Sequence, residues 1–184
     1  MGKKDLLKLE QINELKKVER SNPIQGRKES AAEHSWSCLV TADYFLERTE
    51  KDLDELEVYR HLIYHDLHEV EAGDTPLKPG NEVFRDRDET ECMEKFAEQL
   101  PRPISSNLRK YFIGFEKLET KEAKFARAID SIDPVINMLY DKGAWEGWSE
   151  EFLRKHKTDH FKGFPVIMEA FEHLVDILKE NGCL

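Results

Sequence analysis

Five positions in the 184-residue chain combine reactive residue types with spacings that could bring them together: His34, the pair His65-Asp66, Glu69 and Asp130. His34 stands four before Cys38 and eight before Ala42, so on a helix it projects from the half-buried side. His65 follows Leu62 by three and Val58 by seven, which puts it beside an apolar stripe. Asp66 is expected about 100° round the same helix, with Glu69 one turn on, so three ionisable groups should share one helical surface. Asp130 flanks the stripe of another helix, just after Ile129, with small Ala123 and Ala126 on its approach side. A lone histidine on an apolar face is more often a hydrogen-bonded core residue than a ligand. A carboxylate beside a core stripe is different, because burying it unpaired is costly and calls for a metal ion, an arginine or several donors. Two imidazoles and two carboxylates would suit a borderline-hard divalent cation, leaving positions open for water and phosphate.

The elements that must hold these residues read almost throughout as helices. Leu6, Leu9, Ile12, Leu15 and Val18 form a stripe of about five turns that stops at Ser21-Asn22-Pro23. Ser30-Ala31-Ala32-Glu33 is a capping box that starts the helix of His34, running on through Ala42 to Leu46. Asp52 or Asp54 can cap a third helix that carries Val58, Leu62 and Ile63 and ends at Gly73. Asp74-Thr75-Pro76 and Lys78-Pro79-Gly80-Asn81 make a loop. Met93 to Leu100 marks a fourth helix, stopped by Pro101 and Pro103, and Leu108, Phe112 and Phe115 mark a fifth. Phe125, Ile129, Ile132, Ile136 and Leu139 stripe a long sixth helix that Pro134 should kink. Residues 143–148 read as a connection, and Pro165 opens a last helix through Phe171 and Leu178 to Gly182. No segment alternates with period two long enough for a strand. The expected fold is all-α, with residues 1–184 as one domain.

Composition narrows the functions. The 28 Lys+Arg against 38 Asp+Glu give a formal charge of -10, and 36% of residues are charged, against about a quarter in an average soluble chain. Hydrophobic residues at 39% and aromatic residues at 10% argue for a packed, soluble domain rather than disorder. No apolar run of about 20 residues is present, and the N-terminal residues lack a secretory apolar stretch, so a cytoplasmic protein without membrane contact is expected. Cys38, Cys92 and Cys183 are scattered without a CxxC pair, which fits reduced thiols. The negative charge disfavours a nucleic-acid polymer, whereas a small phosphorylated ligand needs only two or three local arginines.

Taken in order, Glu33-His34-Ser35, then His65-Asp66-x-x-Glu69-x-x-x-Gly73-Asp74, then Glu122-Ala123-Lys124 leading to Asp130 resemble the HD-domain metal-dependent phosphohydrolases. Within them the pattern is most similar to the YfbR/HDDC2 group of 5'-deoxynucleotidases, and Leu15 to Arg20 resembles that group's first helix. The resemblance covers about residues 5–140 and implies an HD-domain helical bundle, with 141–184 a helical C-terminal extension. Carried over by position, it implies His34, His65, Asp66 and Asp130 as ligands of one divalent metal ion, of the Mn, Co, Mg, Zn or Fe type. It implies Asp66 and Glu69 as the catalytic pair, with Glu69 orienting the attacking water and later protonating the leaving sugar oxygen. Arg20 and Arg27 are implied on the 5'-phosphate, and Asp74 and Thr75 on the rest of the substrate, with Asp74 facing the sugar. His61 and His68 read as supporting or surface residues, His156, His160 and His173 as outside the motif, and Trp145 and Trp148 as packing. The implied activity is hydrolysis of deoxyribonucleoside 5'-monophosphates by a homodimer.

Two other readings compete. One is an HD-type phosphohydrolase acting on a phosphodiester or a signalling nucleotide. Against it, the HD-GYP signature is absent, and Glu69 is followed by Val70-Glu71-Ala72 rather than the Glu-Asp-Thr run of alarmone hydrolases. The other is a non-catalytic nucleotide-binding HD module, disfavoured because no ligand or base is missing from the set.

Overall fold

The computed structural model describes residues 2–24, 26–50, 52–79 and 88–184. The N-terminal stripe folds as α1 (Lys3–Leu9) continued by a 3₁₀ segment (Glu10–Lys17), of which only Leu15 is buried. Instead of running to Asn22, the chain then forms a short antiparallel hairpin, β1 (Glu19–Ile24) with β2 (Arg27–Ser30). Glu19 pairs with Ser30 and Pro23 with Lys28, with an irregularity between them that holds Arg20. Buried polar groups hold this hairpin: Asn22 Nδ2 donates to Glu29 Oε2 across the strands at 3.2 Å. A bulge of this kind re-aims a side chain, and the one it re-aims is Arg20.

Ser30 caps α2 (Ala31–Leu46) with the expected box, its hydroxyl accepting from Glu33 N while the Glu33 carboxylate accepts from Ser30 N. Asp54 caps α3 (Glu55–Tyr64). That helix ends nine residues before Gly73, because His65 Nδ1 donates to the Leu62 carbonyl and His68 Nδ1 to the His65 carbonyl. Side-chain donors thus take acceptors that helix amides would otherwise use, and tightened turns carry the chain to a four-residue α4 (Glu69–Ala72). The expectation that His65, Asp66 and Glu69 share one helical face is corrected: they converge across a break. In the following loop, Gly80 and Asn81 lie outside the described residues.

The remaining helices are α5 (Glu89–Gln99), α6 (Ile104–Lys117), α7 (Lys121–Asn137), α8 (Glu150–Phe161) and α9 (Pro165–Glu180), with a 3₁₀ turn at Lys142–Trp145. α7 is the axis. Ala123, Ala126 and Ala128 are fully buried and let α2, α3 and α6 approach it closely. Pro134 falls in its last turn, so the helix stops at Asn137 and does not extend to Leu139. α8, which has no apolar stripe in its sequence, is capped by Ser149 and joins α9 on α7. Phe161, Phe171 and Val175 share one core with Phe45, Leu62 and Ile129, so the C-terminal helices are built into the same body. Fully burying side chains of this size stabilises by about 1.5–3 kcal/mol each. All three cysteines are buried free thiols. Among the described residues no helix is long and apolar enough to cross a membrane.

Candidate metal centre and active-site cavity

α2, the end of α3 and α7 bring His34, His65 and Asp130 to one point. His34 Nδ1 donates to Asp133 Oδ2 at 3.1 Å, which turns Nε2 toward Asp130 Oδ1 at 3.1 Å and Asp66 Oδ2 at 3.9 Å. His65 repeats the arrangement. Its Nδ1 donates to the Leu62 carbonyl at 2.8 Å, and its Nε2 lies 3.2 Å from Asp66 Oδ2 and 3.7 Å from Asp130 Oδ1 without hydrogen-bond alignment to either. Carboxylate and carbonyl oxygens only accept, so each Nδ1 carries a hydrogen; with no cation present the Nε2 of His34 donates to Asp130 as well, and only on losing its Nε2 proton does each ring present a lone pair toward the two carboxylates. Electron-rich atoms turned toward one another this way require protons or a cation between them, and imidazole nitrogens with carboxylate oxygens are a fitting donor set for a divalent metal.

Protons and metal would therefore compete. Burial opposes a charged His65, but Asp66 and Asp130 outweigh it and raise the pKa to about 10. Burial likewise opposes ionisation of Asp66 and Asp130, yet the two histidines hold both well below the usual carboxylate range.

Potential ligand atoms of His34, Cys38, His65 and Asp130 lie within 4.8 Å of one another. Cys38 Sγ is 3.7 and 3.6 Å from the two nitrogens of His34, so it touches the ring rather than standing on the Nε2 axis. Burial also keeps its thiol protonated well above the ordinary value. Asp66 offers an anionic oxygen where Cys38 offers a neutral sulfur. The residue that sequence reasoning missed is Asp133, almost wholly buried, which accepts from Ser37 Oγ (2.6 Å), Thr41 Oγ1 (2.8 Å), Asn137 Nδ2 (3.0 Å) and His34. The signal was present: Ser37 and Thr41 follow His34 along α2 on a face otherwise apolar, and Asp133 stands one turn after Asp130.

A cavity of about 860 Å³ opens on this centre. Glu69 lines it with an Oε2 that has no hydrogen-bond partner among the described residues, and burial together with the charge of Asp66 raises its pKa to about 9. Arg20 also lines the wall, with Nη1 3.1 Å from Asp66 Oδ2 and 3.6 Å from Asp74 Oδ1, and Nε 3.5 Å from Glu29 Oε2. Asp74 and Thr75 reach the cavity. Arg27 does not: it is exposed and holds both carboxylate oxygens of Glu33, outside the wall. His68 lines the cavity, whereas His61 is buried between α3 and α6, its Nδ1 donating to the Tyr111 carbonyl. Trp145 is buried with Nε1 donating to the Met138 carbonyl, and both it and Trp148 face the cavity. His156 and His160, set aside on sequence, line the wall from α8, with His160 Nδ1 hydrogen-bonded to Ser131 Oγ beside Asp130.

Known proteins resemble this chain in sequence and fold. A protein from Bos taurus named 5'-deoxynucleotidase HDDC2 is 26% identical over 142 residues, covering 73% of this chain and 67% of that one. The Homo sapiens protein of the same name is 26% identical over 143 residues, with the same coverage. A crystal structure from Magnetospirillum magnetotacticum MS-1, described as a predicted metal-dependent phosphohydrolase, superposes with a TM-score of 0.87 at 25% identity, covering 98% of this chain and 94% of that one. The model of the HD domain family matches residues 12–168, from the N-terminal 3₁₀ segment into α9, beyond the stretch where the motif residues end. With that span matched and the paired histidines and aspartates gathered at one point, the chain belongs to the HD domain family.

Proposed function

We propose that the chain is a metal-dependent phosphomonoesterase acting on deoxyribonucleoside 5'-monophosphates. The observation that carries the reading is the convergence of His34 Nε2 and His65 Nε2 on Asp66 and Asp130, each ring anchored through Nδ1, at the floor of a cavity holding an unpartnered carboxyl and an arginine. His34, His65, Asp66 and Asp130 hold one divalent cation. Such a cation supplies Lewis acidity toward water and phosphate. Glu69 takes the proton of the attacking water and returns it to the leaving sugar oxygen. A carboxyl raised by burial and a neighbouring anion is suited to this exchange, and positive charge nearby brings it back toward neutrality. Arg20 presents a planar fork toward the phosphate, held in place by Glu29 and Asp74. Asp74 and Thr75 bound the sugar. The HDDC2 proteins at 26% identity support the choice of substrate.

The test is a metal-by-substrate screen on chelator-stripped protein. Release of phosphate from deoxynucleoside monophosphates on adding one divalent metal is the expected result. Turnover of phosphodiesters alone, or metal binding with no turnover of any phosphate ester, would overturn it.

A further inference from the structure

The family signature ends at Asp130, yet one wall of the cavity is built by α8. Leu153, Lys157 and His160 recur along that helix at its own period and all line the cavity. His160 fixes the helix against α7 by its hydrogen bond to Ser131, the neighbour of Asp130. Lys157 lies on the same face, one turn earlier, half-buried.

Of the cations that line the cavity, Lys78 is exposed, and the other three differ in how they are partnered. Arg20 is bound by Asp66, Glu29 and Asp74, and Arg127 by Glu116 and Asp130. Lys157 forms no ion pair or hydrogen bond with any described residue. Burial lowers its pKa, with Arg20 and Arg127 acting in the same sense and Asp130 opposing them. An ammonium kept in such a place without a partner weakens the folded state. A divalent cation engaging Asp130 and Asp66 would leave it still less compensated. The site as a whole is rich in carboxylates, but Lys157 itself lacks an anionic partner among the described residues on the α8 wall.

We propose that Lys157 is a phosphate-binding residue of this site, reaching the phosphoryl group from α8 while Arg20 reaches it from the hairpin. This rests on the phosphohydrolase reading for the presence of a phosphoryl group, not for which nucleoside carries it. It gives the C-terminal helices a part in the chemistry, since they deliver the second of two cations to the substrate.

The test uses Lys157→Met, which keeps the apolar stem, and Lys157→Gln as a second neutral variant, each loaded with the divalent metal that the protein binds most tightly. The probe is inorganic phosphate, followed by calorimetry. Phosphate affinity should fall at least ~10-fold in both variants, the usual worth of a charge-assisted hydrogen bond. Metal affinity should be unchanged or higher, and the melting temperature should not fall, because a half-buried charge without a partner among the described residues has gone. Phosphate affinity equal to that of the parent protein would overturn the proposal. So would a lower melting temperature of the metal-free protein in both variants, which is what loss of a counter-charge to Asp130 would produce. If the parent protein binds phosphate through Lys157 yet hydrolyses no nucleoside monophosphate, the substrate reading fails and this one stands.

Discussion

At the scale of single residues, the centre depends on which nitrogen of each imidazole is free, and that choice is made one bond further out. Asp133 fixes the tautomer of His34, and itself takes three further donors, so its charge is fully satisfied. Asp133→Asn leaves the volume but can place a donor against Nδ1. We expect metal affinity to fall about 10- to 100-fold, read by competition with a chromophoric chelator, and an unchanged affinity would detach Asp133 from the site. His34→Ala removes a proposed ligand and should abolish metal binding while the protein stays helical. Glu69→Gln separates binding from chemistry: metal content should be retained while the rate drops by about 10²- to 10⁴-fold, and an unchanged rate would make another group the proton carrier. That His34, His65, Asp66 and Asp130 would come together was legible because histidine and aspartate beside an apolar stripe need a reason to be there. Asp133 was only hinted at by Ser37, Thr41 and its place one turn after Asp130, since the bond to His34 appears only when α2 and α7 are packed. Arg27, expected on the phosphate, is instead paired locally with Glu33 outside the cavity wall, and spacing alone does not reveal that.

At the scale of elements, what was read correctly is what repeats with period 3.6 against a shared core: α2, α5, α6, α7 and α9 all carry such stripes. The hairpin escaped because Glu19 to Ile24 is polar and irregular, and it is held by Asn22 and Glu29 rather than by an alternating apolar face. α8 escaped because only Leu153 and Phe161 of its twelve residues are buried. Its other inward face is the wall of a wet cavity, where Lys157 and His160 replace the apolar residues that a periodicity argument needs. The break after α3 was hidden as well, since imidazole donors ended the helix without Gly or Pro. This junction is tightly fitted. A Cβ on Gly114 of α6 would come within 2.8 Å of His61 Cε1, one turn before His65 on α3. His61 is buried and bonded to the Tyr111 carbonyl, so it cannot swing away freely. Gly114→Ala should therefore destabilise by about 1–3 kcal/mol, as overpacking of a buried contact does, measured by urea unfolding, and a neutral effect would mean that α6 moves without cost.

At the scale of the whole molecule, a chain with formal charge -10 gathers Asp66, Glu69, Asp74, Asp130 and Asp133 around one point, so the fold works against its own electrostatics there. Protons or a metal ion relieve that, and the two should be distinguishable by pH. His65 is raised from 6.5 to about 10 in the folded protein. Its protonated form therefore contributes stability that is fully present below its unfolded pKa near 6.5 and is lost as pH rises through about 10. Glu69, raised from 4.5 to about 9, acts in the same sense. Metal binding requires His65 without its Nε2 proton, so metal affinity strengthens over this same window. Chelator-stripped protein should accordingly lose melting temperature from about pH 6.5 to 10, whereas protein with saturating metal should not, because binding to the folded state adds RT ln(1 + [L]/Kd). The gap between the two melting temperatures should widen with pH, and it should close when His34→Ala or Asp66→Ala removes the ligands. Melting curves of both forms at four or five pH values decide this. A gap that stays constant across the range would mean that metal and protons do not share the His34, His65, Asp66 and Asp130 cradle, and the ligand assignment would then have to be abandoned.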